Sequence, residues 1–243
     1  MSDYQLVTEA FTELASSYHQ TMDRELKEFW GVSYQEFIDR YLDQSALCQG
    51  DWVLDVATGT AFIPIRLAEK FGRFGRVIGL DLTPAMLSEG QEHISRHGLQ
   101  HSIWLVCASA MEMPFFNRVF DVVLCALGTH HMDVPRMLEE AGRVLKPGGK
   151  LLITDVGATR FWRSFWGRAI MHILLLQYRL TNRGARAQAE AEAFANVRTA
   201  NEWRDLLGNQ GFQEIEMEEM PSRRPWYPGG LMIRGRRSDL PVR

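Results

Sequence analysis

Two aspartates and a pair of histidines stand where this chain could do chemistry. Asp55 closes the apolar run Val53-Leu54-Asp55-Val56, and small residues follow it, Ala57-Thr58-Gly59-Thr60-Ala61. Asp81 closes a second apolar run, Arg-Val-Ile-Gly-Leu-Asp over Arg76–Asp81. In a parallel sheet, ligands lie outside the carboxyl ends of the strands, and an acid after the second strand commonly accepts hydrogen bonds from ribose hydroxyls. Either acid alone reads as readily as a helix cap or an ion pair. Two at matching positions point to a nucleoside. A carboxylate beside the small-residue turn repels phosphate and attracts a cation, so the expected ligand is a nucleoside carrying positive charge. His130 and His131 follow a fourth apolar run, Phe120–Ala126, and so belong at the same edge. An imidazole titrates near neutrality and can take a phenol or enol proton. Capping of the next helix and packing on the ligand are the plainer roles for the pair. His131 is taken first as the base and His130 second.

The elements that position these residues alternate. The spacing predicts a strand at Val53–Val56, a helix over Phe62–Phe71, a strand at Arg76–Asp81 and a helix over 85–97 with Pro84 in its first turn. Further strands are expected at 103–108 and Phe120–Ala126, and a helix at 135–145. Lys146-Pro147-Gly148-Gly149 reads as a turn by composition, feeding a fifth strand at 150–156. Such alternation with short connections predicts an α/β fold, a doubly wound, Rossmann-like, mostly parallel sheet. Ahead of it, Asp3–Phe29 and 34–47 have helical spacing. This leading layer reads equally as a cap over the site or as cover for a sheet edge. After it, the stretch 157–199 has no clear strand and reads as a helical insert. A helix at 201–210 and strands at 214–219 and 230–236 complete the chain, the two strands forming an antiparallel C-terminal edge. The expected organisation is an N-terminal helical cap (1–50), a cofactor-binding core (51–156), a helical insert acting as substrate lid (157–200) and a C-terminal completion of the sheet (201–243).

Composition narrows the function. The chain has 243 residues and a formal net charge of −3, which gives no general electrostatic reason to bind nucleic acid. The three cysteines, Cys48, Cys107 and Cys125, lie far apart, so neither a disulfide framework nor a metal-binding spacing is expected. The N-terminal stretch carries acids and lacks the apolar core of a signal peptide, and the apolar run near 170–178 is too short for a membrane span. The expectation is a cytoplasmic protein with no metal and no nucleic-acid partner.

The run Val-Leu-Asp-Val-Ala-Thr-Gly-Thr resembles the first motif of class I S-adenosylmethionine-dependent methyltransferases. So do Val77-Ile78-Gly79-Leu80-Asp81 with Thr83-Pro84-Ala85-Met86-Leu87, and Leu145-Lys146-Pro147-Gly148-Gly149 before strand five. Together they cover about residues 52–155 in order and spacing, in a style similar to the ubiquinone/menaquinone C-methyltransferase group. The resemblance implies that Asp55, Ala57, Gly59 and Thr60 meet the methionine part of S-adenosylmethionine and that Asp81 takes the ribose hydroxyls. It also implies that Leu82 or Met86 packs on adenine, that Ser109, Ala110 and Met111 read the adenine edge, and that Tyr18 closes over the cofactor. Ser109 departs from the pattern, since the family often has an acid there, and Ala57 and Ala61 replace family glycines.

Transfer from a sulfonium asks mainly for in-line positioning of the acceptor and removal of its proton. The insert is rich in Phe161, Trp162, Phe165, Trp166, Met171, Tyr178 and the run 173–176, more than one helix face needs. A lipophilic pocket or a membrane-skimming lid is one reading, and a buried helix or dimer surface the other. Arg179, Arg183 and Arg186 follow in it, and Arg223, Arg224, Arg234, Arg236 and Arg237 form a late basic cluster. The latter reads as solvated surface or as a contact for an acidic substrate group. The expected activity is methyl transfer to a small, largely apolar acceptor, quinone-like, phenolic or isoprenoid, at carbon or oxygen. Two other classes stay open: a non-catalytic binding module on the same fold, and a nicotinamide-dependent oxidoreductase. The latter wants a Gly-x-Gly-x-x-Gly turn where only Gly59 is present.

Overall fold

A computed structural model of the protein describes residues 3–72, 75–167, 169–170, 172–173, 184–224 and 227–238. Its sheet has the order β3-β2-β1-β4-β5-β7-β6 among the described residues. The strands are β1 (Trp52–Val56), β2 (Arg76–Asp81), β3 (Ile103–Cys107), β4 (Phe120–Ala126), β5 (Leu145–Gly157), β6 (Phe212–Met220) and β7 (Gly229–Arg237). The first five pair in parallel, and β7 runs antiparallel between β5 and β6. The chain order reverses between β1 and β4, and in such sheets the ligand crevice opens there, outside the strands' carboxyl ends.

Alternation along β1 sends Val53 into one core and Leu54 and Val56 into the other. On the first face lie α2 (Tyr18–Phe29), α3 (Tyr34–Asp43), α4 (Phe62–Phe71) and α5 (Pro84–Arg96). Phe37, Ile38, Tyr41 and Leu42 of α3 are fully buried there. The Tyr41 hydroxyl accepts the Cys125 N–H at 3.0 Å and donates to the Leu152 carbonyl at 2.8 Å, tying this layer to the backbones of β4 and β5. The opposite core is filled from α6 (Val134–Val144) and from a helix after the insert, Ala200–Asn209, through Met137, Leu138, Trp203 and Leu207.

Three expectations are corrected. The first helix is not continuous: α1 (Asp3–Leu14) ends in a 3-10 turn, Ala15–Ser17, before α2 begins. Serine side chains compete for the preceding carbonyls, and Ser17 Oγ lies 3.4 Å from the Leu14 carbonyl oxygen. The second helix stops at Asp43, short of Leu47, because Ala46 takes a positive φ of 45° that a helix cannot hold. Lys146–Gly149 is no turn between elements. Strand β5 starts at Leu145, and these residues form a wide irregularity within it, between the pairs Phe120↔Leu145 and Val122↔Lys150. Lys146 clamps it by donating to both Asp121 oxygens at 2.8 Å.

The leading layer divides its work. Helix α3 covers the sheet, whereas α1 lies over the carboxyl edge of the strands and packs Leu6 and Ala10 on Ala189 of the insert. The insert is helical where described, at α7 (Arg160–Arg163) and α8 (Ala185–Ala193). Met171, Leu174–Leu176, Tyr178, Arg179 and Arg183 lie outside the described residues.

Candidate active site

The turn after β1 is held tightly against β2. The Thr58 N–H donates to the Leu80 carbonyl at 3.0 Å, and Gly59 N–H donates to Asp81 Oδ2 at 2.9 Å. A side chain at Gly79 would bring its Cβ within 2.7 Å of Thr58 Oγ1, so the glycine is what lets the turn sit there. The turn needs left-handed backbone at three positions, and only Gly59 supplies it without strain. Ala57 and Ala61 adopt φ of 56° and 60° regardless. Leu127, just past β4, joins them at 54°. Such conformations cost an ordinary residue about 1–2 kcal/mol each. Their clustering around one crevice marks it as a place where shape is held against local preference.

Above this turn lies a cavity walled by Gly59, Asp81, Leu82, Met86 and Met111 below and by Val7, Phe11 and Tyr18 of the leading helices above. Asp81 is the acid in its wall. Its second oxygen accepts the Thr83 N–H at 2.8 Å, and both oxygens keep lone pairs for a ligand. Burial pushes its carboxyl up, while the Thr83 and Gly59 N–H bonds pull the other way. Tyr18 stands over the turn, with its ring 3.8 Å from where a Gly59 Cβ would be. Burial, then Asp81, pushes its phenol well up, so it stays neutral. Ala57, Gly59, Asp81, Leu82, Met86, Ala110, Met111 and Tyr18 all line this cavity.

Asp55, Thr60 and Ser109 are not in that wall. Asp55 is fully buried behind the turn, and neither of its carboxylate oxygens has a hydrogen-bond partner; nor does Thr58 Oγ1. Burial first, with repulsion from Asp81 added and the neighbouring Thr58 hydroxyl opposing, raises Asp55 to about 7. Thr60 presents its carbonyl to His93 Nδ1 at 3.1 Å. Ser109 Oγ accepts the Met111 N–H at 3.2 Å, so its hydroxyl shapes the loop from behind.

A second cavity shares Phe11, Tyr18, Leu127 and His131 with the first. Its far side is apolar, formed by Leu14, Met22, Leu26, Phe29, Trp30 and Tyr227. Phe29 and Tyr227 stack with centroids 3.9 Å apart. One corner is polar and holds His130, Glu25, Arg186 and Glu190. Asp155, buried near the end of β5, organises that corner. It accepts from His130 Nδ1 at 2.6 Å, from the His130 backbone N–H at 3.1 Å, from the Val156 N–H at 2.7 Å and from the Thr129 hydroxyl. Burial opposes a charged ring at His130, but Asp155 outweighs it and raises the imidazole to about 8. His131 has the opposite balance. Burial, then its neighbour His130, pushes it well down, and its Nε2 is buried without a partner, 4.0 Å from Glu190 Oε1. Phe11 meets its ring edge-on at 5.2 Å. One atom each from His130, His131 and Glu190 lie within 4.8 Å of one another, a grouping the sequence spacing hides.

The late arginines are engaged at the surface: Arg224 with Glu28 at 2.8 Å, Arg234 with Glu216, Arg236 with Glu214 at 3.8 Å, and Arg237 and Arg223 with the carbonyls of Leu145 and Lys27. Asp155, Glu190, Arg186, Phe11 and Leu127 are the site residues that sequence reasoning missed. Asp155 alone left a signal, as an acid closing an apolar run in the manner of Asp55 and Asp81.

Residues 1–167 match the model of the ubiE/COQ5 methyltransferase family. The chain belongs to that family. Among its relatives, the demethylmenaquinone methyltransferase of Listeria monocytogenes serotype 4a is 36% identical over 129 residues, 52% of this chain and 54% of the relative. That of Symbiobacterium thermophilum is 30% identical over 175 residues, 66% of this chain and 67% of the relative. The matched stretch spans about half the length of the Listeria relatives. The fold is also that of geranyl diphosphate C-methyltransferase from Streptomyces coelicolor A3(2), solved with Mg2+, geranyl diphosphate and S-adenosylhomocysteine. The TM-score is 0.68 at 14% identity, covering 90% of this chain and 84% of that one. S-adenosylmethionine is the cofactor that goes with this family, and the first cavity fits it. Asp81 offers acceptors for ribose hydroxyls, and Leu82, Met86 and Met111 offer an apolar slot for a base, while Asp55 lies behind the turn with neither carboxylate oxygen hydrogen-bonded.

Proposed function

We propose that the protein transfers a methyl group from S-adenosylmethionine to a small, largely apolar acceptor, a quinone-like, phenolic or isoprenoid metabolite, at carbon or oxygen. The observation that carries this is the shared wall: two cavities meet at Phe11, Tyr18, Leu127 and His131, one suited to the cofactor and the other apolar with one polar corner. The bound cofactor supplies an activated methyl group on a sulfonium. The chain's own work is placement and charge. Asp81 orients the ribose, Leu82 and Met86 pack on adenine, and the Ala110–Met111 segment faces the adenine edge. Asp55, through the Ala57–Thr60 turn, compensates the positive methionine end. Tyr18 and Phe11 close the crevice from above and exclude water between the two reactants. Phe29, Trp30 and Tyr227 hold the acceptor's apolar body. His130, backed by Asp155, and His131 meet its hydroxyl, whose proton must leave as the methyl arrives.

In this reading, residues 1–50 are the cap, 51–156 the cofactor core, 157–200 the lid over the acceptor and 201–243 the completion of the sheet. No helix among the described residues is long and apolar enough to cross a membrane. Phe165 and Trp166 are each 70% exposed, and Phe161 and Ile173 are also exposed. They support a lid that touches a lipid surface to collect its acceptor, in an enzyme we read as cytoplasmic. Calorimetric titration with S-adenosylhomocysteine, with NAD in parallel, tests the core of the reading. Micromolar binding of the first and none of the second is expected, followed by turnover in a screen of quinols, phenols and prenylated compounds. Binding without turnover across that screen favours a non-catalytic module, and tight NAD binding removes the methyl-transfer reading. Loss of co-sedimentation with anionic vesicles in a Phe165→Ser, Trp166→Ser variant tests the lipid contact.

A further inference from the structure

The polar corner of the acceptor cavity contains more than a base and its orienting acid. His130 and His131 come from the short turn after β4 and Glu190 from α8, and one atom of each lies within 4.8 Å of the others. His130 Nδ1 is committed to Asp155 at 2.6 Å, which leaves Nε2 as its remaining ring nitrogen. A carboxylate on the far nitrogen is what fixes the tautomer and orientation of metal-bound imidazoles. His131 Nε2 is buried and hydrogen-bonds to nothing, although its neighbour Glu190 Oε1 is only 4.0 Å away. The unpartnered His131 Nε2 and a Glu190 carboxylate oxygen thus lie close to the His130 ring.

Charge points the same way. Asp155, Glu190 and Glu25 face Arg186, which pairs with Glu25 at 2.7 Å and approaches Glu190 only to 3.9 Å. Three carboxylates against one guanidinium leave an excess of two negative charges, and a divalent cation that displaces the proton of the His130 imidazolium balances it.

We propose that His130 Nε2, His131 Nε2 and the Glu190 carboxylate bind a divalent transition-metal ion of the zinc class, with Asp155 as the positioning residue behind His130. Two imidazoles and one carboxylate are a donor set that zinc accepts at bonds of about 2.0–2.2 Å. Tetrahedral binding at that length needs ligand atoms about 3.4 Å apart. Glu190, with its side chain 32% exposed, is free enough to swing in by the difference. Three protein ligands leave one position open, as in catalytic rather than structural zinc sites, and here it faces the acceptor cavity. The role of the ion rests on the methyl-transfer reading, although its binding does not. It draws the acceptor's hydroxyl oxygen towards it as the oxyanion while the O–H proton leaves to water, and no electron changes hands. The two histidines then act as ligands rather than as free bases.

The full chain, stripped with chelator, is titrated calorimetrically with Zn2+ alone, and separately with S-adenosylhomocysteine. One equivalent of Zn2+ per chain is expected, with cobalt substitution giving the intense visible bands of a low-coordinate site. Glu190→Gln, which keeps the side chain's size, and His131→Ala should each weaken Zn2+ binding at least 100-fold. Asp155→Asn should weaken it about 10–100-fold. A thermal melt and the S-adenosylhomocysteine affinity of Glu190→Gln report whether that variant is folded. Substoichiometric uptake by the parent chain, or equal uptake by the parent and Glu190→Gln, overturns the proposal. Zn2+ binding without S-adenosylhomocysteine binding keeps the ion and removes the methyl-transfer reading. The converse result removes the ion and keeps methyl transfer.

Discussion

Asp55 and Asp155 sit near the carboxyl ends of two parallel strands of one sheet, β1 and β5, and are 0% and 2% exposed. There the likeness ends. Asp155 accepts from the His130 ring, two backbone N–H groups and the Thr129 hydroxyl, and its neighbours hold it below the ordinary carboxylate range although burial alone would raise it. Asp55 accepts nothing, and burial lifts it to about 7. A buried carboxylate with all its partners inside the protein is an orienting device, since its charge is spent on fixing a neighbour. One without partners is driven to take up a proton, unless a cation from outside compensates its charge. Asp155 is paired internally with His130, whereas Asp55, behind the turn on the cofactor side, has no such partner.

Breaking the paired side should have the largest effect. Asp155→Asn removes the charge that holds His130, Thr129 and Val156, and loss of one partner of a buried pair costs about 3–5 kcal/mol. Its melting temperature should fall by roughly 6–15 °C, with turnover lost and S-adenosylhomocysteine affinity nearly kept. An unchanged melt would mean that the pairing around Asp155 adds nothing to stability. Asp81 lies between the extremes, with two backbone N–H bonds and one face towards the cavity. Asp81→Ala should weaken cofactor binding by more than roughly tenfold, since a charge-assisted hydrogen bond is worth about 1.5–3 kcal/mol. An unchanged affinity in calorimetry would take Asp81 out of the site.

Much of the cofactor floor was legible in the chain because its parts are local. A strand ending, a turn and an acid lie within a few residues, so Asp55, Gly59 and Asp81 announce themselves, and the helix Phe62–Phe71 follows from its spacing alone. The acceptor corner was not, because its parts meet only in the folded chain. Asp155 reaches His130 through the β4–β5 pairing of Ala126 with Thr154, and Glu190 arrives on a helix docked against α1. Composition also misled where tertiary pairing overrode it. Pro147-Gly148-Gly149 has the residues of a turn, yet β5 already pairs with β4 at Leu145. Ala57, Ala61 and Leu127 adopt glycine-like backbone that nothing in their own chemistry favours. Ser109, placed where an adenine contact was expected, accepts the Met111 N–H at its hydroxyl and lies outside the residues that wall the cavity.

The unpaired side should respond with the opposite sign. A carboxyl whose folded value is about 7 is protonated in the native state and ionised in the unfolded chain between about pH 4 and pH 7. The native state then holds more protons, so stability falls as pH rises across that window and is flat above it. At pH 8 the full penalty is roughly 4 kcal/mol. An amide left without partners forfeits about 1–3 kcal/mol of the gain. Asp55→Asn should therefore raise the melting temperature of the ligand-free protein at pH 8 by a few degrees and remove the fall between pH 4 and 7, while weakening the cofactor. A lower melting temperature in the variant would show that Asp55 finds a partner within the protein after all.

The finest test is the proton that the cofactor displaces. If the ammonium of the bound methionine end is what Asp55 lacks, binding pulls its value back down. At pH 6, ten-to-one protonation at a value of about 7 means that close to one proton leaves per S-adenosylhomocysteine bound. At pH 8 the group is already ionised and almost none leaves. The dependence of the binding heat on buffer ionisation enthalpy measures this directly, and Asp55→Asn should abolish it. Binding at pH 6 with no proton release would mean that Asp55 stays neutral beneath the ligand. The contrast with Asp155 would then be one of protonation alone, and the small-residue turn rather than the charge would be what holds the methionine end.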